Sequence, residues 1–390
     1  MNKCITIFLI FLSYVLYGQE MRIGILRQHK VSKISLTVDR GVYDVYADTS
    51  YIVRLIEGDK VQLNYYNGRV QLLKNGEDLI LATKIKIIPT TENSVIQFNS
   101  IQPSFKSRYY QDGLEVDLAS NQLTLINLVD MDNYLGGVIE SEGGGGRHIE
   151  YYKVQALMSR TYALKNIKRH EKEGFQLCDG VHCQAYHSML RHTPSIKTAV
   201  KATTGVVLVD ERNNLITSYF SANCGGQTCD ASYVWNTSVP YLESFRDTFC
   251  IHTKQATWEK RVSRIAWDNY MNKEFGLNKL PIGKSELCYT FVQEDRRAFY
   301  IHPSLGIPLR DLRIKFNLKS TYFSTSLVGE EVVIIGRGFG HGVGLCQEGA
   351  MNMASKGYSY EQIAQFYFSN VWVIDYYRGQ FFKQQKAVED

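Results

Sequence analysis

The chain has 390 residues, of which 44% are hydrophobic and 21% charged, and its formal net charge is +5. This composition is typical of a globular protein with an ample apolar core, and it excludes low-complexity, coiled-coil and tandem-repeat architectures. No cluster of Lys and Arg is interleaved with aromatic residues, so nucleic acid is not an expected partner. The small positive charge allows a weak attraction to anionic surfaces.

Residues 1–18 have the pattern of a secretory signal peptide. Lys3 gives a positive start, an apolar run follows up to Tyr17, and the small residue Gly18 marks a cleavage point. The alternative is a retained membrane anchor, but the run is shorter than the roughly 18 apolar residues that a spanning helix needs. We therefore expect an exported protein, located in the periplasm, the cell envelope or outside the cell.

Residues 19–128 are predicted to be β-rich. Hydrophobic and polar residues alternate, as at Ile34, Leu36 and Val38, and Asn-Gly turn signals separate the alternating runs. A periodicity of two with such turns predicts antiparallel strands that have one buried face.

From about residue 129 the pattern becomes mixed. Hydrophobic spacing predicts helices over about 149–170, 348–354 and 360–368. A strand pair is expected around 206–209 and 216–220, and a further strand near 371–374. The sequence of residues 250–335 gives little indication of secondary structure.

The predicted fold class is therefore α+β, with a β-rich N-terminal region and a mixed helix/sheet core that carries inserted loops. The predicted divisions are the signal peptide at 1–18, the β-rich part at 19–128, the core at 129–375 and a C-terminal tail at 376–390.

Two carboxylic acids precede a run of four glycines in the segment Glu140-Ser141-Glu142. An acid between an apolar run and a glycine turn can be partly desolvated, which raises its pKa and keeps it able to donate a proton. Acidic residues are also common before helices because they complement the helix dipole. The residues alone leave both interpretations open.

Seven cysteines remain after the signal peptide, and Cys178 and Cys183 lie close to His170 and His182. Cysteine and histidine side chains at this spacing are suitable ligands for a zinc ion. A disulfide between the two thiols is the main alternative in an exported protein. A cysteine nucleophile is a third interpretation, but it would need an orienting group that the sequence does not single out.

Glycine occupies every other position from Gly336 to Gly344, with His341 in the middle. Such a segment allows the backbone to approach a ligand or another strand closely. It lacks the strand-helix unit and the lysine of phosphate-binding glycine motifs. A single histidine there is compatible with either a structural role or a binding role.

Taken together, these motifs resemble the stage II sporulation protein D family, also called the SpoIID/LytB domain. The helix EYYKVQALMSRTYAL and the C-terminal segment GFGHGVGLCQEGA are especially similar to the family pattern, and the motifs keep their order over most of the chain. The matching segments are 21–26, 125–127, 132–142, 150–164, 183–186, 204–205, 223–228, 235, 240–242 and 338–350.

The resemblance implies a catalytic acid at Glu142, not at Glu140. It also implies a structural zinc ion bound by Cys178, Cys183 and His170, with His182 as the alternate ligand. Two departures from the family pattern are Gly143-Gly144 in place of Met-Pro, and Cys346 and Glu348 in place of Ser and Trp. The residues expected to bind substrate are Gln184, Tyr186, His341 and Gln347.

The function implied by the resemblance is peptidoglycan glycan-strand cleavage by a lytic transglycosylase that leaves 1,6-anhydro-muramic ends. The expected partners are peptidoglycan glycan strands and a cell-wall amidase. The alternatives are a non-catalytic wall-binding enhancer of an amidase and, less favoured, a zinc hydrolase.

We also expect a disulfide between Cys250 and either Cys224 or Cys229, because it would hold the turn at residues 223–226 in an exported protein.

Overall fold

The computed structural model describes residues 19–277 and 286–376. The chain divides into two compact units, Met1–Tyr134 and Leu135–Asp390. The predicted signal peptide and all but the first residue of the predicted tail lie outside the described residues. Within the described part of the chain, no helix has the length and the apolar content to cross a membrane.

The described part of the first unit is built from antiparallel strands in two sheets. One sheet contains strands in the order β1-β12-β11-β8-β3-β4, and the other has the order β10-β9-β2-β5-β6-β7. The strands are β1 (Glu20–Ile25), β2 (Lys33–Arg40), β3 (Tyr43–Ala47), β4 (Ser50–Leu55), β5 (Lys60–Tyr66), β6 (Arg69–Lys74), β7 (Glu77–Ala82), β8 (Ile85–Pro89), β9 (Val95–Gln102), β10 (Arg108–Gln111), β11 (Gly113–Ala119) and β12 (Gln122–Asp130).

Strand β2 illustrates why this region folds as a sheet. Ile34, Leu36 and Val38 are buried, whereas Ser35 and Thr37 between them are only partly buried. Successive side chains of a strand point to opposite faces, so the alternation places one apolar face in the core. The predicted β-rich N-terminal region is confirmed, as is the α+β class.

The second unit combines helices with short sheets. Helix α1 crosses the boundary between the units. The helices are α1 (Met131–Gly143), α2 (Ile149–Lys165), α3 (Pro194–Ala202), α4 (Ser232–Trp235), α5 (Arg264–Phe275), α6 (Leu309–Lys315), α7 (Gln347–Ser355) and α8 (Tyr360–Tyr367). The strands are β13 (Leu177–Cys178), β14 (Val206–Val209), β15 (Phe220–Ser221), β16 (Thr257–Ser263), β17 (Phe323–Val328), β18 (Glu331–Arg337), β19 (Leu345–Cys346) and β20 (Trp372–Asp375).

Helix α2 is the central helix of this unit, and nearly every side chain from Tyr151 to Leu164 is buried. Burial on all sides identifies it as a core helix rather than a surface helix. Arg160 is also buried, and its guanidinium donates to the carbonyl oxygens of Thr203 at 2.6 Å and Val200 at 3.4 Å. The charge therefore binds the end of α3, where the carbonyl groups of a helix lack intrahelical partners.

The predicted pairing of strands at 206–209 and 216–220 is only partly correct. The Ile216 amide does donate to the Leu208 carbonyl at 3.1 Å. The regular strand that follows, β15, instead pairs in parallel with β19, and β14 pairs antiparallel with β20. Both pairings join segments distant in sequence, which local alternation does not reveal.

Residues 250–335, which carried little sequence signal, contain a small sheet with its own core. Strands β16 and β17 flank β18 in antiparallel pairing. Trp267 of α5 stacks on Phe316 with ring centroids 5.0 Å apart, and both belong to one buried cluster with residues of β17 and β18.

Candidate active site

Glu142 lies in the last turn of α1, a helix that the hydrophobic spacing did not predict. The helix begins after Asp130, whose carboxylate accepts hydrogen bonds from the amides of Asp132 and Asn133 at 2.9 and 3.4 Å. Gly144, with a φ of 62°, follows the helix. A carboxylate is disfavoured at the C-terminal end of a helix dipole, so helix stability does not explain an acid at this position.

The loop at residues 185–192 docks onto the end of α1 through its backbone amides. The Ala185 amide donates to Glu142 Oε1 at 3.0 Å, and the His187 amide donates to Ser141 Oγ at 3.3 Å. Glu140 accepts from two further amides, those of Arg191 and His192, at 2.8 and 2.9 Å. Each residue of the Glu-Ser-Glu segment therefore binds the loop.

The close approach of this loop requires glycine on the facing side of α1. A Cβ atom at Gly137 would lie 2.4 Å from the Ser188 carbonyl oxygen and 2.5 Å from the Tyr186 ring. Contacts so short cannot form, so residue 137 must lack a side chain for the loop to reach Glu142.

The two glutamates have different environments. Both carboxylate oxygens of Glu140 accept backbone hydrogen bonds, which gives this side chain a structural task. Glu142 is half-buried, and within the described residues only its Oε1 accepts a hydrogen bond. Burial raises the pKa of Glu142 above its usual value, although the Ala185 amide and the nearby His187 lower it. These features suit an acid that holds a proton on Oε2.

Tyr151 of α2 lies next to Glu142, a neighbour that sequence reasoning did not single out. Its hydroxyl is fully buried and accepts a hydrogen bond from Gln155 Nε2 at 3.2 Å. A Cβ atom at Gly143 would lie 3.0 Å from the Tyr151 hydroxyl. The glycine that departs from the family pattern thus leaves room for this hydroxyl beside the acid.

A second cluster unites the predicted metal ligands. His170, Cys178, His182 and Cys183 each offer a ligand atom, and these atoms all lie within 4.8 Å of one another. Cys183 Sγ is 3.5 Å from His170 Nε2 and 3.8 Å from His182 Nδ1. The sequence treated the two histidines as alternatives, whereas the structure brings both to the thiols. The cluster could bind a metal ion.

Two further features match a metal site. His170 Nδ1 lies 2.5 Å from Glu173 Oε1, which orients the ring and leaves Nε2 facing Cys183. Carboxylates commonly orient metal-binding histidines in this way. The hydrogen bond from Cys183 lowers the pKa of the Cys178 thiol, which favours the thiolate form that binds metals.

The loop that carries Cys183 continues directly into the residues beside Glu142. Gln184 is buried, and its Nε2 donates to the Ser159 carbonyl oxygen of α2 at 3.4 Å. Tyr186 is fully buried, and its ring packs against Gly137 of α1. Both predicted substrate-binding residues therefore contact the protein core on either side of Ala185.

His341 and Gln347 lie in other segments, and within the described ranges neither hydrogen-bonds to Glu142. His341 Nδ1 accepts from the Val343 amide at 3.0 Å, and its ring packs against Trp235 at a centroid distance of 5.3 Å. Burial, followed by the charge of Arg313, lowers the pKa of His341 to about 4, which keeps the ring neutral. Gln347 Nε2 is buried without a hydrogen-bond partner among the described residues.

An aromatic pair adjoins His341. Tyr219 and Trp235 stack with ring centroids 4.2 Å apart, and Trp235 is 40% exposed. A partly exposed aromatic face can pack against a sugar ring. Nothing in the sequence linked Tyr219 to His341, because the two residues are more than a hundred positions apart in the chain.

The predicted disulfide of Cys250 is absent from this structure, in which the seven cysteines of the described residues are free thiols. Cys250 does lie near one predicted partner, with its Sγ 3.4 Å from Cys224 Sγ. Cys229 instead lies near Arg296.

Comparisons with known proteins support the resemblance inferred from the sequence. A family model described as Stage II sporulation protein matches residues 119–209. An uncharacterised protein of Brachyspira hyodysenteriae (strain ATCC 49526 / WA1) is 29% identical over 264 residues, which cover 66% of this chain and 70% of the relative.

Two Bacillus proteins are also similar. The amidase enhancer of Bacillus subtilis (strain 168) is 27% identical over 292 residues, covering 62% of this chain but only 40% of the relative. Stage II sporulation protein D of Bacillus amyloliquefaciens is 27% identical over 264 residues, covering 62% of this chain and 74% of the relative. These similarities confirm the resemblance to the stage II sporulation protein D family that was inferred from the sequence.

Proposed function

We propose that this protein is an exported lytic transglycosylase that cleaves peptidoglycan glycan strands, with Glu142 as general acid and base. The match to the family model and the similarity to an amidase enhancer support a role at the cell wall. The observation that carries the proposal is the half-buried Glu142 carboxyl group with its raised pKa and one oxygen that no described protein group occupies.

The reaction needs only one carboxyl group. The Ala185 amide binds Oε1, so the proton of neutral Glu142 resides on Oε2 and can be donated to the glycosidic oxygen of N-acetylmuramic acid. The bond from this oxygen to the sugar carbon then breaks. The 6-hydroxyl of the same sugar attacks that carbon, and its proton passes to ionised Glu142. Hydrolytic glycosidases use a second carboxylate at this stage, which an internal nucleophile makes unnecessary.

We further propose zinc as the metal of the His170, Cys178, His182 and Cys183 cluster. Two cysteines and two histidines form a ligand set typical of closed, structural zinc sites. When bound, the metal would fix the loop that runs from Cys183 to Ala185. The Ala185 amide would then be held against Glu142, so the metal would position the acid without taking part in the reaction.

The second candidate is a wall-binding protein that enhances an amidase. The relative named amidase enhancer favours it, although the matched region covers 40% of that protein. Under this alternative, peptidoglycan is bound and not cut, and Glu142 has no chemical task.

One experiment separates the two candidates. Purified wild-type protein and the Glu142→Gln variant are incubated with peptide-free glycan strands, and the released fragments are counted. The same proteins are added to a cell-wall amidase acting on intact peptidoglycan. The transglycosylase proposal expects glycan fragments from the wild type alone. Wild-type protein that releases no fragments, while both proteins stimulate the amidase equally, would overturn it.

A further inference from the structure

A second cluster of potential metal ligands has no role in the proposed reaction. Cys224 follows β15, Asp247 and Cys250 come from the next loop, and Cys346 ends β19. All four side chains are buried, and one ligand atom from each lies within 4.8 Å of every other. The cluster shares no residue with the set around Cys178.

The distances within this cluster fit a tetrahedral ion. Cys224 Sγ lies 3.4 Å from Cys250 Sγ and 3.2 Å from Asp247 Oδ2. A zinc ion with Zn–S distances of about 2.3 Å places neighbouring sulfur atoms about 3.7 Å apart. The distance between Cys224 Sγ and Cys250 Sγ would need to change by only a few tenths of an ångström.

The charges of the cluster also indicate a cation. Asp247 forms no salt bridge among the described residues, and its carboxylate accepts hydrogen bonds from the Tyr367 hydroxyl at 2.9 Å and the Phe249 amide at 2.8 Å. A buried carboxylate is unfavourable without a compensating charge. A disulfide would join two of the thiols and leave the third thiol and the Asp247 carboxylate without a compensating charge. A divalent cation would be bound by all four groups.

The surroundings of Cys346 resemble those of a metal-bound thiolate. Its Sγ accepts hydrogen bonds from the Cys224 amide at 3.2 Å and from the Gly349 amide at 3.4 Å, the latter at the start of α7. Arg296 Nη2 donates to the Cys224 carbonyl oxygen at 2.6 Å and brings a positive charge close to the cluster. Amide donors and a nearby cation stabilise the negative charge of thiolate ligands.

We propose that Cys224, Asp247, Cys250 and Cys346 form a second, structural zinc site. Thiolates with one carboxylate suit zinc, and a site closed by four protein ligands is typical of structural rather than catalytic metal. The ion would fix the turn that carries Cys224. Asn223 of this turn exchanges backbone hydrogen bonds with Phe339, so the site would hold the glycine-rich segment next to His341.

The test is the zinc content of purified protein, measured by elemental analysis after expression with zinc and purification without chelator. We expect two zinc ions per chain in the wild type, and one in both the Cys250→Ala and Asp247→Asn variants. The matched control is Cys288→Ala, which removes a buried cysteine outside both clusters and should retain two. The Cys178→Ala/Cys183→Ala double variant should retain the single ion of the new site.

Unchanged zinc content in folded Cys250→Ala and Asp247→Asn would overturn the proposal. So would a Cys224–Cys250 disulfide in unreduced wild-type protein, detected by peptide mapping. If these variants do not fold, X-ray absorption of the wild type decides. An average between two and three sulfur ligands per zinc supports two sites, whereas two sulfur ligands with one zinc per chain contradicts them.

Discussion

Replacement of Glu142 by Gln should remove activity without loss of stability. The amide oxygen of Gln can still accept the Ala185 hydrogen bond, which is 3.0 Å long in the structure. The side chain can no longer donate and recover a proton. General acid–base catalysis contributes a factor of roughly 10² to 10⁴, so the barrier should rise by about 3 to 5.5 kcal/mol.

The effect on stability follows from the direction of the Glu142 pKa. Burial raises this pKa in the folded protein above its unfolded value, so the ionised form destabilises the fold at pH values above the unfolded pKa. At low pH both states are protonated and the penalty disappears. Glu142→Gln should therefore be as stable as the wild type or slightly more stable at neutral pH, and this gain should vanish in acid.

Glu140→Gln is the matched control, because it makes the same chemical change two residues away. Both oxygens of Glu140 accept amide hydrogen bonds. In Gln, an NH₂ group takes the place of one of these oxygens and cannot accept, so one of the two hydrogen bonds is lost. Hydrogen bonds to charged groups contribute about 1.5 to 3 kcal/mol, less where solvent has access. Glu140→Gln should lose about 1 to 2 kcal/mol of stability, yet the folded variant should remain active.

The assay combines urea denaturation with counting of glycan fragments for the two variants. Full activity in Glu142→Gln together with loss of activity in folded Glu140→Gln would show that the acid has been assigned two residues too late. Full activity in both folded variants would show that neither carboxyl group is the acid.

Three further outcomes are expected. The rate of glycan cleavage should fall as the pH rises through the raised pKa of Glu142, and a rate that increases steadily into the alkaline range would contradict a protonated acid. Gly137→Ala should destabilise the protein by about 1 to 3 kcal/mol in urea denaturation, since its Cβ atom would lie 2.4 Å from the Ser188 carbonyl oxygen; unchanged stability would mean that the loop can move away at no cost. Cys178→Ser should lower zinc content, melting temperature and activity together, and a loss of zinc that leaves the other two unchanged would refute a positioning role for the metal.

Local patterns predicted much of the fold. The alternation at Ile34, Leu36 and Val38 correctly indicated a half-buried strand, because strand periodicity depends only on neighbouring residues. The helix predicted over residues 149–170 is present but ends at Lys165. The parallel pairing of β15 with β19 was not predicted, since it joins residues more than a hundred positions apart.

The site was only partly predictable, for related reasons. Hydrophobic spacing did not predict α1, which carries Glu142 in its last turn and ends at Gly143. The family resemblance offered His170 and His182 as alternative ligands, and only the folded loop places both beside the thiols. Cys346 was noticed as a departure from the family pattern, but its proximity to Cys224 depends on tertiary structure.

The central claim is tested most directly by mass spectrometry of the products formed from purified, peptide-free glycan strands. We expect fragments with 1,6-anhydro-muramic ends from the wild type and none from Glu142→Gln, because the sugar's own hydroxyl replaces water as the nucleophile. Fragments with ordinary reducing ends would reveal hydrolysis and contradict the single-acid mechanism. Intact strands after incubation with folded, metal-loaded wild-type protein would contradict the enzymatic function itself.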